Sequence, residues 1–197
     1  MFETMIDPTG AADPVAPAGA ALAPRPADLA GLRLGLLLNT KRNAAELLDA
    51  VAERCAQQHG TVPAARHVKP HINDPVAPEA LADLVERCDV VLVGVGDCGS
   101  CSASAVTDGI ALEAAGVPAA VLVSEAFRTT ADAMAGLRGS PGYDYAVVRH
   151  PVASLDAAGV AARAGEVLPG LVRLLHAPVG PGGPPGNGAD HPGAGVR

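Results

Sequence analysis

Aromatic residues are almost missing from this chain: two Tyr, two Phe and no Trp stand among 197 residues. Proteins that hold single-stranded nucleic acid stack bases on aromatic rings, and this one has few to offer. Basic residues are outnumbered as well, giving a net charge of −7. A nucleic-acid footprint needs a basic stripe, so charge argues against that class too. No apolar run reaches the roughly eighteen residues of a transmembrane helix, and no membrane partner is expected. The start, Met1-Phe2-Glu3-Thr4-Met5-Ile6-Asp7-Pro8, lacks the basic opening and apolar centre of a signal peptide. The expectation is an acidic cytoplasmic protein that meets small molecules or other proteins. Cytosolic thiols stay mostly reduced. The four cysteines therefore point to catalysis, metal binding or core packing rather than to structural disulfides.

What is abundant is apolar. Hydrophobic residues make up 49% of the chain, enough for one core. Residues 1–28 are rich in Pro and Ala without a sustained period, and read as an extended arm that meets the body near Asp7-Pro8-Thr9-Gly10. Residues 177–197 are dominated by Gly and Pro and read as a disordered tail. Between them, residues 29–176 form one α/β domain. Strands are predicted at Leu32–Leu38, Ala64–Val68, Asp89–Val95, Ala119–Val123 and Tyr145–Val148. Helices alternate with them: from an Asn43 cap to His59, Pro78 to Cys88, Ser102 to Ala115, Ala131 to Leu137, and Ala157 to His176. Pro169-Gly170 is expected to bend or interrupt the last one. Continuous apolar strands alternating with helices specify an open, mostly parallel five-stranded sheet with helices on both faces. Five units favour a flavodoxin-like order over a Rossmann-like one.

Ligands of such sheets bind where the strands end. The candidates are then Asn39, Lys41 and Asn43 after the first strand, Lys69 and His71 after the second, Glu125 after the fourth and His150 after the fifth. The third strand ends in Gly96-Asp97-Cys98-Gly99-Ser100-Cys101-Ser102, the most specific segment of the chain. A Cys-X-X-Cys pair at a helix start places the first thiol over unpaired backbone N–H groups and the positive end of the dipole. Both favour the thiolate. The second thiol is near enough to resolve an adduct on the first. Asp97 opposes this as a neighbouring carboxylate, unless it accepts a proton or caps the helix. Gly96, Gly99 and the serines suggest an exposed, mobile turn.

Two other readings of the turn stay open. A zinc site needs three or four ligands. Cys55 and Cys88 supply no second pair, because both fall on apolar helix stripes and read as core. Zinc is therefore disfavoured even with His150 nearby, and no metal ligand or cofactor is predicted. Gly94-Val95-Gly96-Asp97-Cys98-Gly99 also spells Gly-X-Gly-X-X-Gly between a strand and a helix, with Glu125 where a ribose-binding acid would stand. That fingerprint normally follows the first strand, not the third.

The segment from Gly96 to Ser102 resembles the signature of the UGSC family of (seleno)proteins, in which selenocysteine or cysteine precedes Gly-Ser-Cys. Asp7-Pro8-Thr9-Gly10, Asn39-Thr40-Lys41-Arg42-Asn43-Ala44 and Glu125-Ala126-Phe127 agree with it, so the resemblance spans roughly residues 5–155. It implies that Cys98 is the reacting atom and Cys101 its partner. The segment is more distantly similar to substrate-specific selenoprotein subunits of glycine- and betaine-type reductases. The expectation is an enzyme in which Cys98 attacks a small activated substrate, Cys101 releases the product and an external dithiol reduces the resulting disulfide. Lys41 would hold a substrate carboxylate or favour the thiolate. Asn39 and Asn43 would orient the substrate, with a turn and a helix cap as their alternatives. His150 would move protons, and Glu125 would pair with Lys41 or act as an acid. The alternatives are a thiol-carrying binding or assembly subunit, meeting a partner protein or a second copy, and a phosphate or dinucleotide binder.

Overall fold

The computed structural model describes residues 22–176. Most of the expected arm, the Asp7–Gly10 contact and the expected tail lie outside the described residues. Five parallel strands, β1 (Arg33–Leu38), β2 (Val62–Val68), β3 (Val90–Gly96), β4 (Ala119–Ser124) and β5 (Ala146–Val148), stand in the order β2-β1-β3-β4-β5. This is the flavodoxin-like order, with its reversal between β1 and β3. Helices α1 (Ala44–His59), α2 (Pro78–Arg87), α3 (Gly99–Ala114), α4 (Arg128–Leu137) and α5 (Ala157–His176) complete the layers. A single 3-10 turn, Glu125–Phe127, leads into α4.

The pleat sends alternate side chains to opposite faces. Leu34, Leu36 and Leu38 of β1 join Leu47, Leu48 and Val51 of α1 and Leu168 and Leu171 of α5 in one core. Leu37, with Val91 and Val93 of β3, joins Leu84 of α2, Val106 of α3 and Ala131 of α4 in the other. Both tyrosines are buried in that second core. Cys55 belongs to the first and Cys88 to the second, each buried, with burial pushing its thiol up to about 11. Neither is a nucleophile near neutral pH.

Three expectations are corrected. Helix α5 runs unbroken through Pro169, because Val160, Ala164, Val167, Leu168 and Leu171 on both sides of it are buried against the sheet. Helix α3 starts at Gly99 rather than Ser102, which puts Cys101 inside its first turn. Strand β2 begins at Val62, since pairing with β1 carries it past Pro63 with a register shift. A second register shift, on β3 between Gly94 and Gly96, breaks the alternation: Val95, not Gly94, follows Leu92 into the first core. Such bulges re-aim the chain at the end of a strand, and this one stands directly before the cysteine turn. Among the described residues no helix is long and apolar enough to cross a membrane.

Candidate active site at the Cys98–Cys101 turn

Helix α3 begins where β3 ends, beside the reversal point of the sheet. Gly96 makes the junction tight: a Cβ there would lie 2.8 Å from Ser102 Oγ and 2.9 Å from Ser102 Cα. The cap of α3 is Cys98 itself, in extended conformation, with its sulfur accepting the Cys101 backbone N–H at 3.3 Å. Asp97, expected as a possible cap, does not serve as one. Cys98 Oxygen accepts both the Ser102 N–H at 2.9 Å and the Ser102 hydroxyl at 2.8 Å. The Cys98 and Cys101 Cα atoms are 5.2 Å apart and their sulfurs are bonded. Cys98 is half-buried and Ser100 exposed, whereas Cys101 is fully buried. The turn is thus packed on its inner side, not the wholly exposed and mobile one expected. Ser100 Oγ lies 3.6 Å from Cys98 Sγ.

Asp97 is buried, and its carboxylate reaches across to the segment that follows β5. Oδ2 accepts the backbone N–H groups of Val152 and Ala153, both at 3.0 Å. Oδ1 lies 2.9 Å from Nδ1 of His150. A carboxylate only accepts, so Nδ1 carries the proton and Nε2 of the neutral ring is the acceptor. Ser124 Oγ approaches the same Nδ1 at 3.3 Å, and Phe127 stacks edge-on against the ring with centroids 5.5 Å apart. Glu125 Oε1 accepts the His150 backbone N–H at 3.2 Å. Among the described residues it has no ion pair with Lys41, the pairing considered for it.

The two asparagines are committed to the backbone. Asn39 is buried; its Nδ2 donates to Val95 O at 2.9 Å and its Oδ1 accepts the Lys41 N–H at 3.2 Å, bridging β1 to β3. Asn43 sits at the α1 cap position in a left-handed conformation, φ 64°, but its side chain makes no cap bond. Its Nδ2 donates to Val152 O at 3.0 Å and Leu155 O at 2.9 Å. The post-β5 segment is therefore held by its carbonyls from Asn43 and by its N–H groups from Asp97. These residues fix His150 beside the cysteine turn. Lys41 is half-buried at the same rim.

One cluster was only partly visible from sequence: Lys69 stood among the strand-end candidates, but its partners did not. Lys69, after β2, is buried, and its Nζ donates to Asp108 Oδ2 at 2.5 Å, Ser104 Oγ at 2.6 Å and Asp74 O at 2.7 Å. Asp108 Oδ1 accepts the Val76 N–H at 2.8 Å. All three ammonium protons are used, so the cluster fastens the β2–α2 loop to α3. Cys101, Ser104 and Asp108 share one helix face at intervals of three and four residues. The signal was available: a polar stripe buried within an otherwise apolar helix. Among the described residues no group of three or more His, Cys, Asp or Glu is placed to hold a metal ion.

Nothing matches the chain among curated proteins or among solved structures, so the further likeness to glycine- and betaine-type reductase subunits is not shown. One family model does match, over residues 4–177, which takes in every strand and helix described above. By that match the chain belongs to the UGSC family.

Proposed function

We propose that the protein is a thiol-dependent enzyme with Cys98 as nucleophile, Cys101 as resolving thiol and His150, oriented by Asp97, as proton carrier. The observation that carries this reading is the unequal burial of two sulfurs within bonding distance: Cys98 is reachable at the cap of α3, and Cys101 is wholly buried behind it. In the reduced protein, the free N–H groups of the first turn and the helix dipole favour the Cys98 thiolate. The thiolate displaces a leaving group X from an activated carbon or heteroatom R. Cys101 then attacks the Cys98 sulfur and closes the disulfide. R departs with the bonding pair and takes a proton, from His150 in this reading. R–X and two thiols thus give R–H, HX and a disulfide, which an external dithiol reduces. Such a reductant suits a reducing compartment such as the cytoplasm.

The test is thiol trapping of the reduced protein at mildly acidic pH, read by peptide mass spectrometry. Cys98 should be labelled well ahead of Cys101, Cys55 and Cys88. Even labelling, or a faster reaction elsewhere, overturns the reading. Cys98→Ser should also abolish turnover once a substrate is known. The dinucleotide reading draws some support from the position of the Gly94–Gly99 turn beside the sheet reversal, where nucleotides bind in this topology. It requires that Cys98→Ser retain nucleotide binding.

A further inference from the structure

A cleft of about 250 Å³ lies on the α3–α4 face, beside the cysteine turn, with Asn73, Ser100, Thr107, Met134 and Arg138 among its walls. Ser100 is its link to the reacting atom, because the Ser100 hydroxyl stands 3.6 Å from Cys98 Sγ. Arg138 is its charge. Most described basic side chains reach a carboxylate, as Arg25 does with Glu113 and Arg33 with Asp89. Arg138 has no such partner among the described residues, in a chain whose net charge is −7. A buried acid of α3, Asp108, feels the charge of Arg138 but is already bonded to Lys69 and to the Val76 N–H. Thr107, next to Asp108 on α3, and Arg138 line the cleft together. Ser104, also in the wall, spends its hydroxyl on Asp74 O and Lys69.

The cleft therefore has a reactive sulfur beside Ser100 and an uncompensated cation in Arg138. Ser100 and Thr107 are seven positions apart on α3, about 10 Å at the rise of a helix. We infer that this cleft is the substrate site of Cys98, and that it takes an elongated small acid. Arg138 binds the carboxylate or phosphate, and the reacting atom lies at the far end, beside Ser100. The apolar wall from Met134 suits the linking carbons. This inference rests on Cys98 being the nucleophile and adds the class of substrate to that reading.

The test uses two maleimides of one shape on the reduced full chain: 6-maleimidohexanoate and its uncharged amide. Each alkylates a thiol by addition across the double bond, with no leaving group or oxidant. The acid should modify Cys98 at least tenfold faster than the amide, with saturation. Arg138→Gln should bring the ratio to about one, Arg138→Lys should restore part of it, and Arg42→Gln should leave it unchanged. Millimolar hexanoate and hexyl phosphate, compared as protectants of the wild type, tell carboxylate from phosphate. Equal rates for acid and amide at a fast-reacting Cys98 overturn this inference alone, as does a preference that survives Arg138→Gln. If Cys98 fails to outpace Cys55 and Cys88 with either reagent, the nucleophile reading falls and takes this one with it.

Discussion

Asp97 Oδ1 stands 2.9 Å from His150 Nδ1, joining a carboxylate that is 1% exposed to an imidazole that is 37% exposed. The same carboxylate caps two backbone N–H groups of the post-β5 segment. One residue therefore both builds the rim and orients the ring next to the cysteine turn.

Asp97→Asn tests both roles. The amide keeps one acceptor oxygen and turns an NH2 group toward donors. The expected cost is about 1.5–3 kcal/mol, the range for a hydrogen bond to a charged group, read as a lower urea midpoint with an unchanged slope. Nitrogen NMR of the neutral imidazole should show the Nδ1–H form in the wild type. In Asp97→Asn that preference should weaken. A wild-type ring protonated mainly on Nε2 would contradict the assigned orientation.

The Lys69–Asp108 pair makes a second, pH-dependent prediction. Burial pushes the Asp108 carboxyl above its ordinary value, while Lys69 pulls it down. Lys69→Met removes that pull and leaves a buried acid without its cation. At pH 7 the loss should be about 3–5 kcal/mol. The variant's folded state then keeps a proton that the unfolded chain releases. Its stability should therefore be highest in acid and fall as pH rises from the ordinary carboxylate range to the raised folded value, levelling beyond. The deficit against wild type should shrink measurably between pH 7 and pH 4. A double variant, Lys69→Met with Asp108→Leu, should regain most of it. A pH-independent deficit would mean that Asp108 is not the titrating group.

The parts of this architecture that local pattern controls were legible in the sequence. The Val90–Val95 run is apolar because β3 is covered on both faces, and the count of five units favoured the flavodoxin-like order without fixing it. The start of α3 was misplaced because a cysteine sulfur is an unusual cap, and a cap decides where a helix begins. Asn39 and Asn43 were placed at the rim correctly, but their partners, Val95, Val152 and Leu155, are set by tertiary packing. Lys69 and Asp108 are 39 positions apart, and no local pattern joins them.

Glu113 anchors the chain ahead of β1. Its buried carboxylate accepts the Ala23 N–H and both ends of the Arg25 guanidinium, each at 2.7 Å, and the Ala119 N–H at 2.9 Å. Arg25 in turn donates to Leu174 O of α5 at 2.7 Å. Glu113→Ala strands a buried guanidinium and should cost about 3–5 kcal/mol. Subtilisin should then cut residues 22–28 of the native protein much faster than in the wild type. Unchanged cleavage would show that other contacts hold this segment.

The glycines of the turn separate the two chemistries proposed for it. A methyl at Gly96 would press on the Ser102 backbone, so Gly96→Ala should cost about 1–3 kcal/mol through overpacking whatever the site binds. It is a poor probe of ligand. Gly99 differs: it is the first residue of α3, and a Cβ there would meet nothing within 4 Å. Gly99→Ala should be neutral or stabilise by up to about 1 kcal/mol, since alanine is the better helix former. A pyrophosphate cradled by this turn needs bare backbone at such a position, and the added methyl would block it. A nucleophilic Cys98 needs only the N–H groups, which alanine keeps. Labelling of Cys98 should thus survive Gly99→Ala at close to the wild-type rate. If NADH bound the wild type in isothermal titration and failed to bind a stably folded Gly99→Ala, the glycines would be the ligand site and the cysteine chemistry would lose its claim to the turn.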